Sequence, residues 1–117
     1  MAELPPEIES KLAEFQGSQE QLQLVSAQKM QVKMQLDEVD AAAEALKGAT
    51  GKVFKSVGML VLESDRETVS RELAERKEAL SVRAQVLGKQ EERLRKRLLE
   101  LRSEIESATK GMKPSGG

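Results

Sequence analysis

Cysteine, histidine, tryptophan and tyrosine are all absent from this chain of 117 residues. Without cysteine there can be no disulfide, no thiolate metal site and no cysteine nucleophile. Without histidine the chain lacks the usual acid–base group at neutral pH and the commonest metal ligand. The only aromatic residues are Phe15 and Phe54, whereas a compact globule of this size fills its core with several large rings. These absences argue against an enzyme, and we expect no catalytic residue, metal or cofactor.

Long apolar runs and a strong charge of one sign are also missing. No stretch approaches the roughly 18 apolar residues of a membrane span, and the first six residues do not resemble a signal peptide. The 19 basic and 20 acidic residues give a net charge of −1, which offers no overall attraction to nucleic acid or to an anionic membrane. The absence of cysteine fits a reducing compartment. What the chain has in quantity is charged residues, 33% of the total, in a composition typical of long helices.

The first periodic segment covers residues 6–49. Its apolar residues recur mainly at intervals of three, four and seven, which is the heptad pattern of a helix that packs against another helix. Pro6 and Glu7 suit a helix start, and Gly48 and Gly51 provide the stop. We predict one helix over this segment.

The second periodic segment covers residues 65–110. Ser64 and Glu67 form an S-x-x-E capping box at its start, and Gly111 and Pro114 end it. We predict a second helix here, followed by a flexible tail over residues 111–117. Within the helix, leucine recurs every seven residues, at Leu73, Leu80, Leu87, Leu94 and Leu101.

Residues 52–62, between the two segments, predict a short β-hairpin. They are rich in β-branched and bulky apolar residues, and Gly58 can supply a positive φ at the turn. The alternative is a plain loop, but four consecutive apolar residues, 59–62, would be poorly solvated there. By alternation we expect one face of the hairpin to carry Val53, Lys55, Met59 and Val61. The other face would carry Phe54, Leu60 and Leu62.

The two helices are expected to pair antiparallel within one chain. With a positions facing d positions, the layers include Val25 with Glu91, Val39 with Lys77, and Leu36 with Leu80, and they centre on Gly58. A register shifted by seven residues and a parallel dimer of straight chains are the alternatives. The predicted fold class is therefore mainly α: an antiparallel two-helix coiled-coil hairpin with a short β-hairpin at the bend.

The β-hairpin end is expected to complete itself by assembly. An isolated two-stranded hairpin is marginal in water and has two open edges. Pairing with hairpins of other subunits, in a larger sheet or barrel, would cover those edges; the alternative is that the hairpin folds back onto its own coiled coil. The candidate subunit interface consists of Val53, Phe54, Val57, Met59, Leu60, Val61 and Leu62.

The opposite end, with both termini, is a candidate surface for apolar partners. Lys11 and Ser18 interrupt the d positions there, and Gly17 costs about 1 kcal/mol of helix stability. Loose packing would leave adaptable apolar side chains exposed; the alternative is an ordinary seam with fraying ends. The residues of this tip are Leu4, Ile8, Leu12, Phe15, Ile105, Ala108 and Met112.

A basic cluster at residues 93–97 has two interpretations. It could form a patch for nucleic acid or an acidic partner. Because Glu91, Glu92 and Glu100 lie one turn away, a solvated helix face is the favoured interpretation.

The residues of the predicted bend resemble those of the prefoldin family, in its archaeal β class. The resemblance rests on the segment K-V-F-K-S-V-G at 52–58 before L-V-L at 60–62, and on Q-E-E-R-L at 90–94. It covers nearly the whole chain. Phe54 stands where tyrosine is more usual in the family. The α-class subunits carry two hairpins, and residues 50–64 are too few for that.

The resemblance implies a chaperone subunit in the cytoplasm. Two α and four β subunits would join their hairpins in a double barrel with six coiled coils hanging below. Such a holdase binds unfolded proteins at the coiled-coil tips without ATP and delivers them to a group II chaperonin. It implies no cofactor and no contact with nucleic acid or membrane. The alternative function is a coiled-coil scaffold or adaptor that binds one folded partner.

Overall fold

Two long helices with an antiparallel β-hairpin between them make up the fold, which confirms the predicted fold class. The structure is a computed structural model that describes residues 4–111. In chain order its elements are α1 (Pro6–Gly48), β1 (Val53–Val57), β2 (Leu60–Ser64) and α2 (Arg66–Lys110). The second strand extends two residues beyond the predicted hairpin segment. The expected tail, residues 111–117, lies outside the described residues from 112 onward.

Helix α1 begins and ends where the sequence supplies suitable terminal residues. Pro6 is the first helical residue and has no N–H to satisfy. The Pro5 carbonyl accepts from the amides of Ile8 and Glu9 at 3.0 and 3.1 Å. After the last helical residue, Gly51 takes a φ of 90°, which a side chain would oppose.

Helix α2 is capped by Asp65, so the predicted capping box on Ser64 is wrong. The Thr68 amide donates to Asp65 Oδ1 at 2.8 Å, and the Thr68 hydroxyl donates to Oδ2 at 2.8 Å. These bonds, the backbone one first, lower the pKa of the Asp65 carboxyl. Ser64 is unavailable as the cap because it is the last residue of β2 and pairs with Val53.

The register of the hairpin corrects the predicted division of its two faces. Gly58 and Met59 form a two-residue turn, with φ of 59° at Gly58, and Val57 pairs with Leu60. Directly paired residues share a face. One face therefore carries Val53, Lys55, Val57, Leu60, Leu62 and Ser64, and the other carries Phe54, Ser56, Val61 and Glu63. The predicted faces assumed that odd-numbered residues of both strands lie on one side. With two residues in the turn, each odd-numbered residue of β1 instead pairs with an even-numbered residue of β2.

The chain divides into two compact units. The terminal unit comprises residues 1–28 and 87–117, and the hairpin unit comprises residues 29–86. Among described residues, the buried apolar side chains of the terminal unit are Ile8, Val25, Leu87 and Leu101; those of the hairpin unit are Val32, Val39 and Leu80. Within each helix, all but Ile8 follow one another at intervals of seven, or of fourteen between Leu87 and Leu101, so the heptad pattern identified the buried stripe. Leu80, Leu87 and Leu101, three of the leucines that recur every seven residues, are thus buried.

Polar contacts between the helices follow the predicted register within each unit. In the terminal unit, the Ser26 hydroxyl donates to Glu91 Oε2 at 2.7 Å. Glu91 is thus opposite the turn that contains Val25, its predicted partner. In the hairpin unit, Lys77 Nζ lies 2.8 Å from Asp40 Oδ1, next to its predicted partner Val39. A shift of seven residues would separate both pairs by about 10 Å.

Candidate functional site

The outer part of the β-hairpin exposes apolar side chains on both of its faces. On one face Val57, Leu60 and Leu62 are exposed; on the other Phe54 and Val61 are exposed. Met59, at the turn, is fully accessible, with a relative exposure of 101%. Of the seven predicted interface residues only Val53 is half-buried. Each strand has a neighbour on one side only, so the other edge of each strand is open among the described residues.

Two ion pairs lie at the base of this hairpin. Lys55 Nζ donates to both carboxylate oxygens of Glu72 on α2, at 2.9 and 3.2 Å. Lys52 Nζ lies 3.9 Å from Glu63 Oε1 on the facing strand. Because Lys55 shares its face with Leu60 and Leu62, its bond to α2 sets the direction in which that apolar face points.

A groove lies at the base of the hairpin, within the hairpin unit. It has a volume of about 330 Å³ and is lined mainly by small and aliphatic side chains. Val53 and Phe54 line it from the strand side, Leu46 and Leu73 from the two helices. The base of the hairpin therefore lies beside residues of both helices, although Phe54 itself stays largely exposed.

The predicted tip residues lie in the terminal unit with graded exposure. Leu4 is 39% exposed, whereas Ile8 is buried at 4%. Four others are half-buried: Leu12, Phe15, Ile105 and Ala108. Met112 lies outside the described residues. Ile8 thus belongs to the packed stripe of the single chain, and the apolar surface open to a partner lies elsewhere in this unit.

Sequence reasoning did not single out the most exposed leucines of the terminal unit. Leu99 is 67% exposed and Leu24 is 59% exposed. Leu99 borders a groove of about 350 Å³ whose lining also includes Phe15, Leu22 and Leu98. The signal was present in the sequence as the doublet at residues 98–99: a second leucine beside a seam leucine lies off the buried stripe. In the hairpin unit the same applies to further exposed side chains, Met30, Met34, Val82 and Val86.

The basic cluster at residues 93–97 does not present its charges as one patch. Arg97 Nη2 donates to Glu14 Oε2 on α1 at 2.8 Å, and Arg97 Nη1 donates to Glu100 Oε2 at 3.3 Å. These bonds, that to Glu14 first, raise the pKa of the Arg97 guanidinium. Arg95 instead lies 3.8 Å from Glu91, one turn away on its own helix. The cluster is a mixed, solvated helix surface in which Arg97 joins the two helices.

The described part of the chain, residues 4–111, contains no group of three or more acidic side chains arranged to hold a metal ion. Over the same residues neither helix has a stretch long and apolar enough to cross a membrane.

Comparison with known proteins accounts for this arrangement. The family described as "Prefoldin subunit" matches residues 9–111. The chain belongs to the prefoldin family. A prefoldin β subunit from Methanothrix thermoacetophila is 38% identical over 117 residues, with 98% of each chain covered. That of Thermococcus onnurineus is 37% identical over 119 residues, with both chains covered completely.

A solved structure agrees with the sequence comparison. The crystal structure of the prefoldin β subunit from Thermococcus strain KS-1 matches with a TM-score of 0.84 at 34% identity. The match covers 97% of this chain and 99% of that one. Prefoldin membership implies a non-enzymatic, chaperone-type role in protein folding and assembly with other prefoldin subunits. The resemblance inferred from residues 52–62 and 90–94 is thereby confirmed.

Proposed function

We propose that this chain is a subunit of an ATP-independent holdase that binds unfolded proteins and passes them to a group II chaperonin. In this proposal it assembles with a prefoldin α-class subunit and further copies of itself, as two α and four β subunits, in the cytoplasm. The observation that carries the proposal is the hairpin, with apolar side chains exposed on both faces and two open strand edges.

The hairpin supports assembly through its open strand edges and through its exposed apolar side chains. An open edge offers unpaired backbone N–H and C=O groups to a neighbouring strand. Exposed side chains such as Leu60 and Val61 would leave water when a sheet curls round them, at roughly 25 cal/mol per Å² of apolar area. The charge pair of Lys55 and Glu72 orients these residues before any partner arrives, which lowers the entropic cost of joining.

Client binding is assigned to the terminal unit. Unfolded proteins expose apolar segments without a fixed shape, so a general binder needs an adaptable apolar surface more than a closed pocket. Leu4, Phe15 and Leu99 offer partly open apolar side chains in this unit. Several such surfaces in one assembly add avidity, so that each contact stays weak and a client can be released without ATP.

Aggregation of a chemically denatured test protein measures this function. The assembly with an α-class subunit should suppress light scattering without ATP. Removing residues 1–15 and 105–117 should abolish that suppression while native mass spectrometry shows the same number of subunits. If the shortened assembly suppressed aggregation at the same molar ratio, clients would have to bind the hairpins or the flanks of the remaining helices, and the assignment to the predicted tip residues would be wrong.

A further inference from the structure

The two flanks of the helix pair in the terminal unit differ: ion pairs bridge the helices on one flank, and an open groove lies on the other. One flank carries Arg97, which contacts Glu14 across the helices at 2.8 Å and Glu104 on its own helix at 3.9 Å. Lys11 adds a contact to Glu104 at 3.8 Å. These charges bridge α1 and α2 over the seam. Arg95 precedes Arg97 by two residues, which turns it by about 200° round the helix and onto the other flank.

The other flank is an open apolar groove. Its floor is formed by four apolar side chains, and its remaining lining is one glutamine and two arginines, without any carboxylate: Phe15, Leu22, Leu98 and Leu99, with Gln19, Arg95 and Arg102. Its volume of about 350 Å³ lies within the range of ligand sites. Leu99 keeps 67% of its surface in water, which favours a partner that covers it.

The two arginines of the groove are themselves largely exposed and, among the described residues, form ion pairs only with neighbours on their own helix. Arg95 Nη2 lies 3.8 Å from Glu91, and Arg102 Nε lies 3.4 Å from Glu106, each one turn away on α2. Long contacts made by exposed guanidinium groups are weak, so a carboxylate from a partner can replace them. Glu91, which is only 15% exposed, would keep its hydrogen bond from Ser26. The two arginines are two helical turns apart, about 10 Å along the axis, with Leu99 between them.

We propose that this groove selects apolar segments of unfolded proteins that carry carboxylates on both sides. The apolar side chains cover Phe15, Leu98 and Leu99, while the flanking carboxylates pair with Arg95 and Arg102. In an extended chain a spacing of about 10 Å corresponds to carboxylates two to four residues apart. The proposal rests on the holdase function and adds a charge preference to it.

The lining favours a protein segment over a nucleic acid. Single-stranded nucleic acids bind through aromatic side chains on which successive bases stack. Here Phe15 supplies one half-buried ring and the rest of the floor is aliphatic. Aliphatic side chains match the apolar residues of an unfolded protein.

Labelled peptides bound to the assembled chaperone test the preference. Three peptides share one apolar core and differ only in their flanks, which are glutamate, glutamine or lysine. Fluorescence anisotropy at low salt should show the glutamate peptide binding about fivefold more tightly than the glutamine peptide. The advantage should vanish in the double variant R95Q/R102Q and at 0.5 M salt, where the Debye length is only about 4 Å. Leu99→Gln should weaken all three peptides.

The matched control is R93Q/K96Q, which removes two charges from the same helix outside the groove and should keep the preference. Equal binding of glutamate and glutamine peptides would overturn the proposal, as would a preference that survives R95Q/R102Q or is lost equally in the control. A single-stranded oligonucleotide that bound more tightly than the glutamate peptide and required Arg95 and Arg102 would also overturn it. If no peptide bound and aggregation were not suppressed, the holdase function itself would fail; uniform peptide binding with suppression intact would refute the charge preference alone.

Discussion

Shortening Leu101 to alanine should open the terminal unit locally. Leu101 is completely buried, with 0% of its surface exposed. The change removes three carbons, which at about 0.8 kcal/mol each amounts to roughly 2.4 kcal/mol of transfer free energy. A residual cavity adds to this, and measured costs of buried leucine-to-alanine changes reach about 5 kcal/mol. Because the surroundings near helix ends can partly collapse, we expect about 3 kcal/mol.

Hydrogen exchange of the assembled protein, followed by mass spectrometry, measures the effect where it arises. A loss of about 3 kcal/mol should speed exchange in residues 87–111 by roughly a hundredfold, while residues 66–86 change little. Leu99→Ala is the matched control: its side chain is largely exposed, so we expect less than about 1 kcal/mol. Similar exchange in the two variants would refute the assignment of Leu101 to the core of this unit.

Three further changes test the bend and its supports. Glu72→Gln should loosen the hairpin by removing the charge that holds Lys55, so that hydrogen exchange in β1 becomes faster. Added salt should then change β1 exchange less than it does in the parent, and unchanged β1 exchange would contradict the anchoring role of this pair. Gly58→Ala forces a side chain into a φ of 59° and should lower assembly affinity about tenfold in a dilution series followed by native mass, against no effect for Gly17→Ala in open helical space. Because the pKa of Asp65 is lowered in the folded chain, the stabilisation from its cap is fully present above the ordinary aspartate pKa and is lost as pH falls through the lower folded value. NMR of the Thr68 amide should therefore show the start of α2 fraying in acid, and Asp65→Asn should abolish this pH dependence. If the pH dependence were unaltered in Asp65→Asn, another group would be responsible for it.

Heptad periodicity was sufficient to identify the buried stripe. Val25, Val32 and Val39 follow one another at intervals of seven, and all three are buried. This works because a helix repeats nearly every seven residues, so that a seam must repeat likewise. The same argument placed Glu91 opposite Val25 but left a shift of seven residues open, and the hydrogen bond from Ser26 to Glu91 decides between the two registers.

The faces of the hairpin and the helix cap could not be obtained in this way. The alternation of each strand is visible in the sequence, but the link between the strands depends on the two-residue turn at Gly58 and Met59. Ser64 and Asp65 are both good caps, and the choice between them is made by strand pairing, which claims Ser64. Both outcomes depend on strand pairing between residues that are not neighbours in the sequence, such as Val53 and Ser64.

The candidate binding surfaces were only partly visible for a related reason. Leu99 and Leu24 each stand next to a residue of the predicted stripe, so the pattern places them off that stripe. It does not show that Leu99 borders a groove. The charge asymmetry between Arg97 and Arg95 depends on which flank of the helix each occupies. Two residues of separation place them on opposite flanks, so the basic cluster is one run in the sequence and lies on two surfaces in the fold.

Native mass spectrometry of the Leu60→Asp variant tests the central claim that the hairpin builds the chaperone. Mixed with an α-class prefoldin subunit, the parent chain should give one species of six subunits. Leu60→Asp should give single chains and incomplete assemblies. Their helicity by circular dichroism should be nearly unchanged, because the new charge lies on the exposed outer hairpin. Val86→Asp, a control at an exposed apolar site on α2, should still assemble. A six-subunit species of undiminished abundance from Leu60→Asp would contradict the account.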